Sequence, residues 1–167
     1  SIVTLCMLIL MSNGSYSRVG NFSRIAIRPS RISLETPEYR LAKSYEANSS
    51  KDDLILTPPM SSFDFFAYDS RRAVVFSWKN VPFNDSSIQE WGRRLRDITG
   101  VEPYKGIDKD FEGLFCKRTK EDIVKVAKKY KAKFAVLSKD CHGASDDHMR
   151  AKMPDQGNYY IIRIDGF

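Results

Sequence analysis

Helices that alternate with short, unbroken apolar runs predict an α/β fold. The expected form is a Rossmann-like three-layer sandwich, its mostly parallel sheet of about four strands flanked by helices. Three observations predict it. Leu54-Ile55-Leu56 and Ala73-Val74-Val75-Phe76 are continuous apolar runs, the pattern of strands buried on both faces. Ile88, Trp91, Leu95 and Ile98 recur at helical spacing. Ile123, Val124, Val126, Ala127 and Tyr130 form a second helical face, just before a third apolar run ending at Leu137.

The first eleven residues, SIVTLCMLILM, are uncharged and almost wholly apolar. A membrane span needs about 20 such residues, so 1–11 reads as the truncated end of a transmembrane helix. Residues 12–35 form a basic linker or arm rich in Ser, Gly, Asn and Arg. Its arginines, Arg18, Arg24, Arg28 and Arg31, follow the apolar run closely and argue for a cytoplasmic side. The soluble α/β domain is expected over 36–167. Thr36-Pro37-Glu38 is a helix start, with a hydroxyl cap, a proline where no N–H is needed and an acid at the positive dipole end. The first strand is expected over Asp53 to Thr57, halted by Pro58-Pro59. Ser61 to Tyr68 reads as a short helix or an edge strand, and Arg72 to Trp78 as the second strand.

Asp85 or Ser86 can cap the next helix, Ser87 to Thr99, with Gly100 as its stop. Val101 to Cys116 reads as irregular. Thr119 caps a further helix whose lysines crowd the C-terminal end, where the dipole favours cations. Strands follow at Lys133 to Leu137 and Tyr159 to Ile164, the last as an antiparallel edge. The segment Cys141 to Gly157 reads as a polar loop.

Phosphate loops are the first chemistry such a fold invites. No GxGxxG and no Walker sequence is present, and TPPMSS follows the first strand. Prolines stand where amides would cradle a pyrophosphate, so no nucleotide cofactor, nor any other, is expected. The net charge of +6 favours anionic partners: phosphate, anionic lipid or an acidic glycan. Arg71, Arg72 and Lys79 flank the second strand, and Arg94 and Trp91 come from the next helix. Together they are the candidate anion- or ligand-binding cluster, since guanidinium forks suit phosphate and carboxylate. The lysines of KEDIVKVAKKYKAK alternate with core residues and lack aromatic platforms, so nucleic acid is not an expected partner. His142 and His148 share a loop with Cys141, Asp146 and Asp147, but the spacing matches no metal motif. Of the three cysteines, Cys6 lies in the apolar run, which leaves Cys116 and Cys141 as the possible pair. Two free thiols are the expectation there. Sequons begin at Asn21, Asn48 and Asn84.

The order DDLILTPP, a Phe-rich segment, SRRAVVFSWKNVPF, then EWGRRL resembles the uncharacterised C-terminal domain of polytopic bacterial membrane proteins similar to GT-C type glycosyltransferases. KEDIVKVAKKYKAKFAVLSKD resembles the helix–strand unit in the tails of such proteins. The resemblance spans about Pro37 to Asp140. It implies a non-catalytic, extracytoplasmic domain that assists substrate or partner binding, with the catalytic acids in an absent membrane region. The missing transmembrane part is then a partner. Two other readings stand beside it: a soluble enzyme acting on a phosphate-bearing substrate, and an interaction domain that works at an anionic membrane surface.

Overall fold

The computed structural model describes residues 36–102, 110–143 and 153–164. The expected membrane helix end at 1–11 and the basic arm at 12–35 lie outside the described residues. So do His148, Asp146 and Asp147. Among the described residues no helix is long and apolar enough to cross a membrane.

The described residues form a mixed α/β structure. Its elements in chain order are α1 (Pro37–Asn48), β1 (Leu54–Leu56), a 3-10 turn (Ser61–Phe63), α2 (Phe66–Ser70), β2 (Ala73–Val74), α3 (Asp85–Thr99), α4 (Phe111–Cys116), α5 (Lys120–Lys129), β3 (Phe134–Ser138), α6 (Lys139–His142) and β4 (Tyr159–Arg163). The sheet order is β2-β1-β3-β4. β1 runs parallel to β2, with Leu54 opposite Ala73, and parallel to β3, with Ile55 opposite Phe134. β3 and β4 are antiparallel. The expectation of a mostly parallel sheet with an antiparallel edge is met.

Strand side chains alternate between faces, so each strand feeds two cores. Leu56, Ala135, Leu137, Tyr160 and Ile162 face Leu95, Ile98, Phe115 and Ile123 of α3, α4 and α5. Ile55, Phe134, Val136 and Ile161 face Leu41 and Tyr45 of α1, with Phe63 and Phe66. The β1-to-β2 crossover therefore passes on one face, and the β2-to-β3 crossover on the other. They also travel in opposite directions across the sheet, which gives both crossovers the same hand.

Local chemistry explains the helix starts. Thr36 Oγ1 accepts from the Tyr39 amide at 3.2 Å. Thr119 and Asp122 close a reciprocal capping box on α5, as expected. For α3 the expected caps, Asp85 and Ser86, are displaced by Asn84. Its backbone is extended and its Oδ1 accepts from the Ser87 amide at 2.9 Å, which places Asp85 in the first turn. Gly100 ends the helix at φ +78°, as the stop residue should.

Of the two readings of Ser61 to Tyr68 the short helix holds: the segment is the 3-10 turn and the start of α2, not an edge strand. Three other expectations are corrected. Val101 to Cys116 is not all irregular, because α4 forms behind Asp110, whose carboxylate accepts from the Gly113 amide at 2.8 Å. Six residues are too few to show a helical period in sequence. Within the loop expected from Cys141, Cys141 and His142 belong to α6. Finally, Cys116 and Cys141 are not free thiols. They form a disulfide with Cα atoms 4.9 Å apart, joining the end of α4 to α6.

Two stability predictions follow from these links. The disulfide closes a loop of sequence separation 25, so the C116S/C141S protein should lose about 2–4 kcal/mol in urea unfolding, with no change in far-ultraviolet dichroism. An unchanged midpoint would show that the bridge carries no stability. The second concerns Asp97, whose carboxylate accepts from Lys129 at 2.5 Å and from the Tyr130 hydroxyl at 2.6 Å. Partial burial pushes this carboxyl up, but the two hydrogen bonds prevail and hold it below the ordinary aspartate range. A depressed folded-state pKa gives stability that is present above the unfolded value and lost as pH falls through the folded one. D97N should therefore flatten the decline in melting temperature below about pH 4, while removing part of the stability at neutral pH.

Candidate functional site

Parallel strands present their C-terminal ends as the natural site of an α/β sheet. After β1 the chain runs through Thr57-Pro58-Pro59, and after β2 through Val75 to Asn80. The second strand was expected to reach Trp78 but pairs regularly only over Ala73–Val74, with one further bond from the Val75 amide to Ile55 at 2.9 Å. Beyond that point side chains of α3 take over the backbone. Arg94 donates to the Val75 carbonyl at 3.0 Å, and Trp91 Nε1 to the Ser77 carbonyl at 3.1 Å. Trp78 Nε1 donates to the Pro59 carbonyl at 3.1 Å, which ties the two strand ends together.

Aromatic packing fixes this corner. The Trp78 and Trp91 rings lie 5.1 Å apart in an edge arrangement, and Trp91 is 5.1 Å from Phe76. Phe111 of α4 stands 5.0 Å from Trp78. Arg94 also stacks its guanidinium 5.4 Å from the Tyr130 ring and pairs with Glu90 at 2.9 Å. Glu90 accepts from Arg93 as well. Beside this corner a cleft of about 340 Å³ is lined by Ser77, Asn80, Ser86, Ser87, Glu90 and Trp91, with Arg94 and the Val74–Phe76 segment completing it. Its polar groups are hydroxyls, an amide and a neutralised Glu90–Arg94 pair, next to an indole. That chemistry suits a ligand offering both donors and acceptors. It places no unpaired acid and base face to face.

The five sequence candidates are divided by the fold. Trp91 and Arg94 meet at the cleft. Lys79 lies in the turn beyond it, its ammonium 5.3 Å from the Phe65 ring. Burial raises the Asp64 carboxyl above the usual range, with the charge of Lys79 opposing the shift. Arg71 and Arg72 are elsewhere, before β2 and on the α1 face. Arg72 caps the C-terminal end of α1: its Nη2 donates to the carbonyls of Glu46 at 2.8 Å and Ser49 at 2.9 Å, and its Nε to Ser49 Oγ at 3.1 Å. Helix ends leave carbonyls without intrahelical partners, and a fork of donors satisfies several together. Arg71 takes the left-handed conformation that ends α2, at φ +52°, and its exposed side chain lies 3.5 Å from Glu46. Asn80, Ser86, Ser87 and Glu90 were missed from sequence. Their signal was positional: they occupy the turn and first helical turns immediately after a parallel strand.

Among the described residues no group of three His, Cys, Asp or Glu side chains could hold a metal. His142 is half-buried, its Nδ1 3.2 Å from the Ser138 carbonyl, and burial lowers its pKa below the ordinary value.

The two arginines before β2 should behave differently. R72A should cost about 1–3 kcal/mol in chemical denaturation, since it leaves helix-end carbonyls without their charged donor. R71A should stay within about 0.5 kcal/mol of the parent, as exposed ion pairs do. Equal effects would contradict these placements.

Residues 37–98 match the family model of a domain of unknown function, DUF6798, a stretch that contains all five candidates, from Arg71 to Arg94. No curated protein and no solved structure matches the chain.

Proposed function

We propose that this chain is the non-catalytic, extracytoplasmic α/β domain of a larger polytopic membrane protein of the glycosyltransferase-like kind, and that it assists substrate or partner binding. The observation that carries the reading is the Cys116–Cys141 bridge, since disulfides persist in oxidising compartments and are rare in reducing ones. It stands against the arginines of the 12–35 arm, which favour the other side of a membrane. A bridge that covalently joins two helices is the stronger of the two signals, because arginines near an apolar run can also lie on anionic headgroups.

Two further observations support a binding role over a catalytic one. Trp91, Arg94 and Arg72 direct their donors at backbone carbonyls, where they hold the corner and α1 in place. The cleft beside Trp91 joins hydroxyl and amide groups to an indole, a combination that suits a sugar, whose faces are apolar and whose rim is hydroxylated. The same features give little support to the phosphate-enzyme reading, because Arg71 and Arg72 do not converge with Lys79 and Arg94. The Rossmann-like description is part of this proposal, on the strength of the doubly wound parallel strands.

The test is redox state in place. Expressed in cells behind its native upstream sequence, the protein should appear in the membrane fraction. Digestion without reductant should release Cys116 and Cys141 as one linked peptide, converted to two by a thiol reductant. Recovery of both cysteines as free thiols, alkylated in unbroken spheroplasts only after permeabilisation, would refute the extracytoplasmic placement.

A further inference from the structure

One wall of the cleft beside α3 is main chain. β2 pairs with β1 alone, so its other side is an open edge of the sheet. Successive residues of a strand turn their backbone groups to opposite edges. The Val75 amide is bonded to the Ile55 carbonyl, so the amide and carbonyl of Val74 point away from β1. Among the described residues nothing donates to or accepts from either of them. The Val75 and Ser77 carbonyls, by contrast, are satisfied by Arg94 and Trp91. Val74 lines the cleft, yet its side chain packs into the α1-side core with Phe63 and Phe66. What it presents to the cleft is therefore its backbone. Ser87, Glu90, Trp91 and Arg94 form the opposite wall, one stripe of α3. From Ser87 to Arg94 the helix rises about 10 Å, the reach of about three extended residues. Glu90 accepts from both Arg93 and Arg94, so the charges at this wall are paired among themselves.

We infer that this cleft takes an extended, uncharged segment of a partner polypeptide, added as a strand to the free edge of β2. The segment's main chain bonds the Val74 amide and carbonyl, and one of its side chains lies against the Trp91 indole. Strand addition needs an unpaired edge that offers a donor and an acceptor together, and a side-chain wall beside it for specificity. Val74 supplies the first and α3 the second. The hydroxyls and the indole alone accommodate a sugar as well. The edge backbone favours a polypeptide, because a neighbouring strand satisfies in register the amide and carbonyl that the fold leaves open. The paired charges favour an uncharged segment, since a charged side chain buried there would find its counter-ions already engaged. The inference rests on the binding role proposed above and names the chemical class of the partner.

The probe is the capped peptide acetyl-Thr-Val-Phe-Val-Thr-amide, added to the isotope-labelled full 167-residue chain and followed by amide resonances. In the free chain the Val74 amide should exchange with solvent faster than the bonded amide of Val75. Saturating peptide should slow Val74 exchange about tenfold and shift the resonances of Phe76, Ser87 and Trp91. The same peptide methylated on every amide nitrogen keeps its side chains but loses its main-chain donors, and should bind about tenfold more weakly. S87W, which fills the cleft without touching β2, should abolish binding with far-ultraviolet dichroism unchanged. Equal binding of the methylated peptide, or binding with Val74 exchange unslowed, would overturn strand addition. Shifts of the cleft resonances by methyl glucoside, with the peptide inert, would overturn the peptide assignment and leave the binding role standing. Silence toward both would overturn the inference and count against the cleft's part in the proposed function, while the redox test above still decides where the domain lies.

Discussion

A backbone carbonyl taken out of water needs a donor, and the corner after β2 is built to supply donors that a short strand cannot. β2 pairs with β1 over few residues. Past the point where the ladder stops, the Val75 and Ser77 carbonyls are held by Arg94 and Trp91 from α3. The Pro59 carbonyl, after a pair of prolines that cannot donate, is held by Trp78. Three side chains thus replace ladder bonds. They fix how α3 lies against the sheet, and with it the core around Leu95 and Ile98. The cleft lies between the Val74–Ser77 segment with the turn after it and the first turns of α3, where an indole and a guanidinium fill part of the gap.

The opposite face repeats this solution with a different residue. Arg72 satisfies the end of α1, so the residue that enters β2 also terminates a helix twenty-odd positions earlier. One short strand is therefore anchored at its start to one helical layer and after its end to the other. A strand of such modest length at the sheet edge is thereby held on both sides, and the arginine chemistry around it is structural in large part. Further out lie the cleft walls from Asn80 to Glu90, and Lys79 with its ammonium over the Phe65 ring.

Electrostatics at the periphery supports the same architecture. Asp97 links α3 to α5 through Lys129 and Tyr130, and Asp53 at the start of β1 is buried beside Lys133, 2.7 Å away. Burial alone would raise the Asp53 carboxyl. Its bonds to Lys133 and to the Ser50 amide prevail and hold it below the usual range. On the far side, the disulfide couples α4 to the segment that leaves β3.

The sequence by itself determined the class of fold, the parallel strands with an antiparallel edge, and the starts of α1 and α5. These depend on local rules: apolar continuity, helical period, hydroxyl caps, and prolines that refuse a ladder. Trp91 and Arg94, ligand-binding candidates by sequence, bond to the carbonyls after β2. Only the tertiary structure decided the rest. Whether Arg72 faces an anion or a helix end depends on where α1 stops in space, which no spacing in the sequence encodes. The Asn84 cap turns on one residue's backbone angle. The six residues of α4 are too short to show a period. The Cys116–Cys141 bridge requires two Cα atoms to come within 4.9 Å across a sequence separation of 25, a distance set by the packing of α4 and α6 against β3. The five candidate residues divide because Arg71 and Arg72 precede β2 on the α1 side, whereas Trp91 and Arg94 come from α3 on the other.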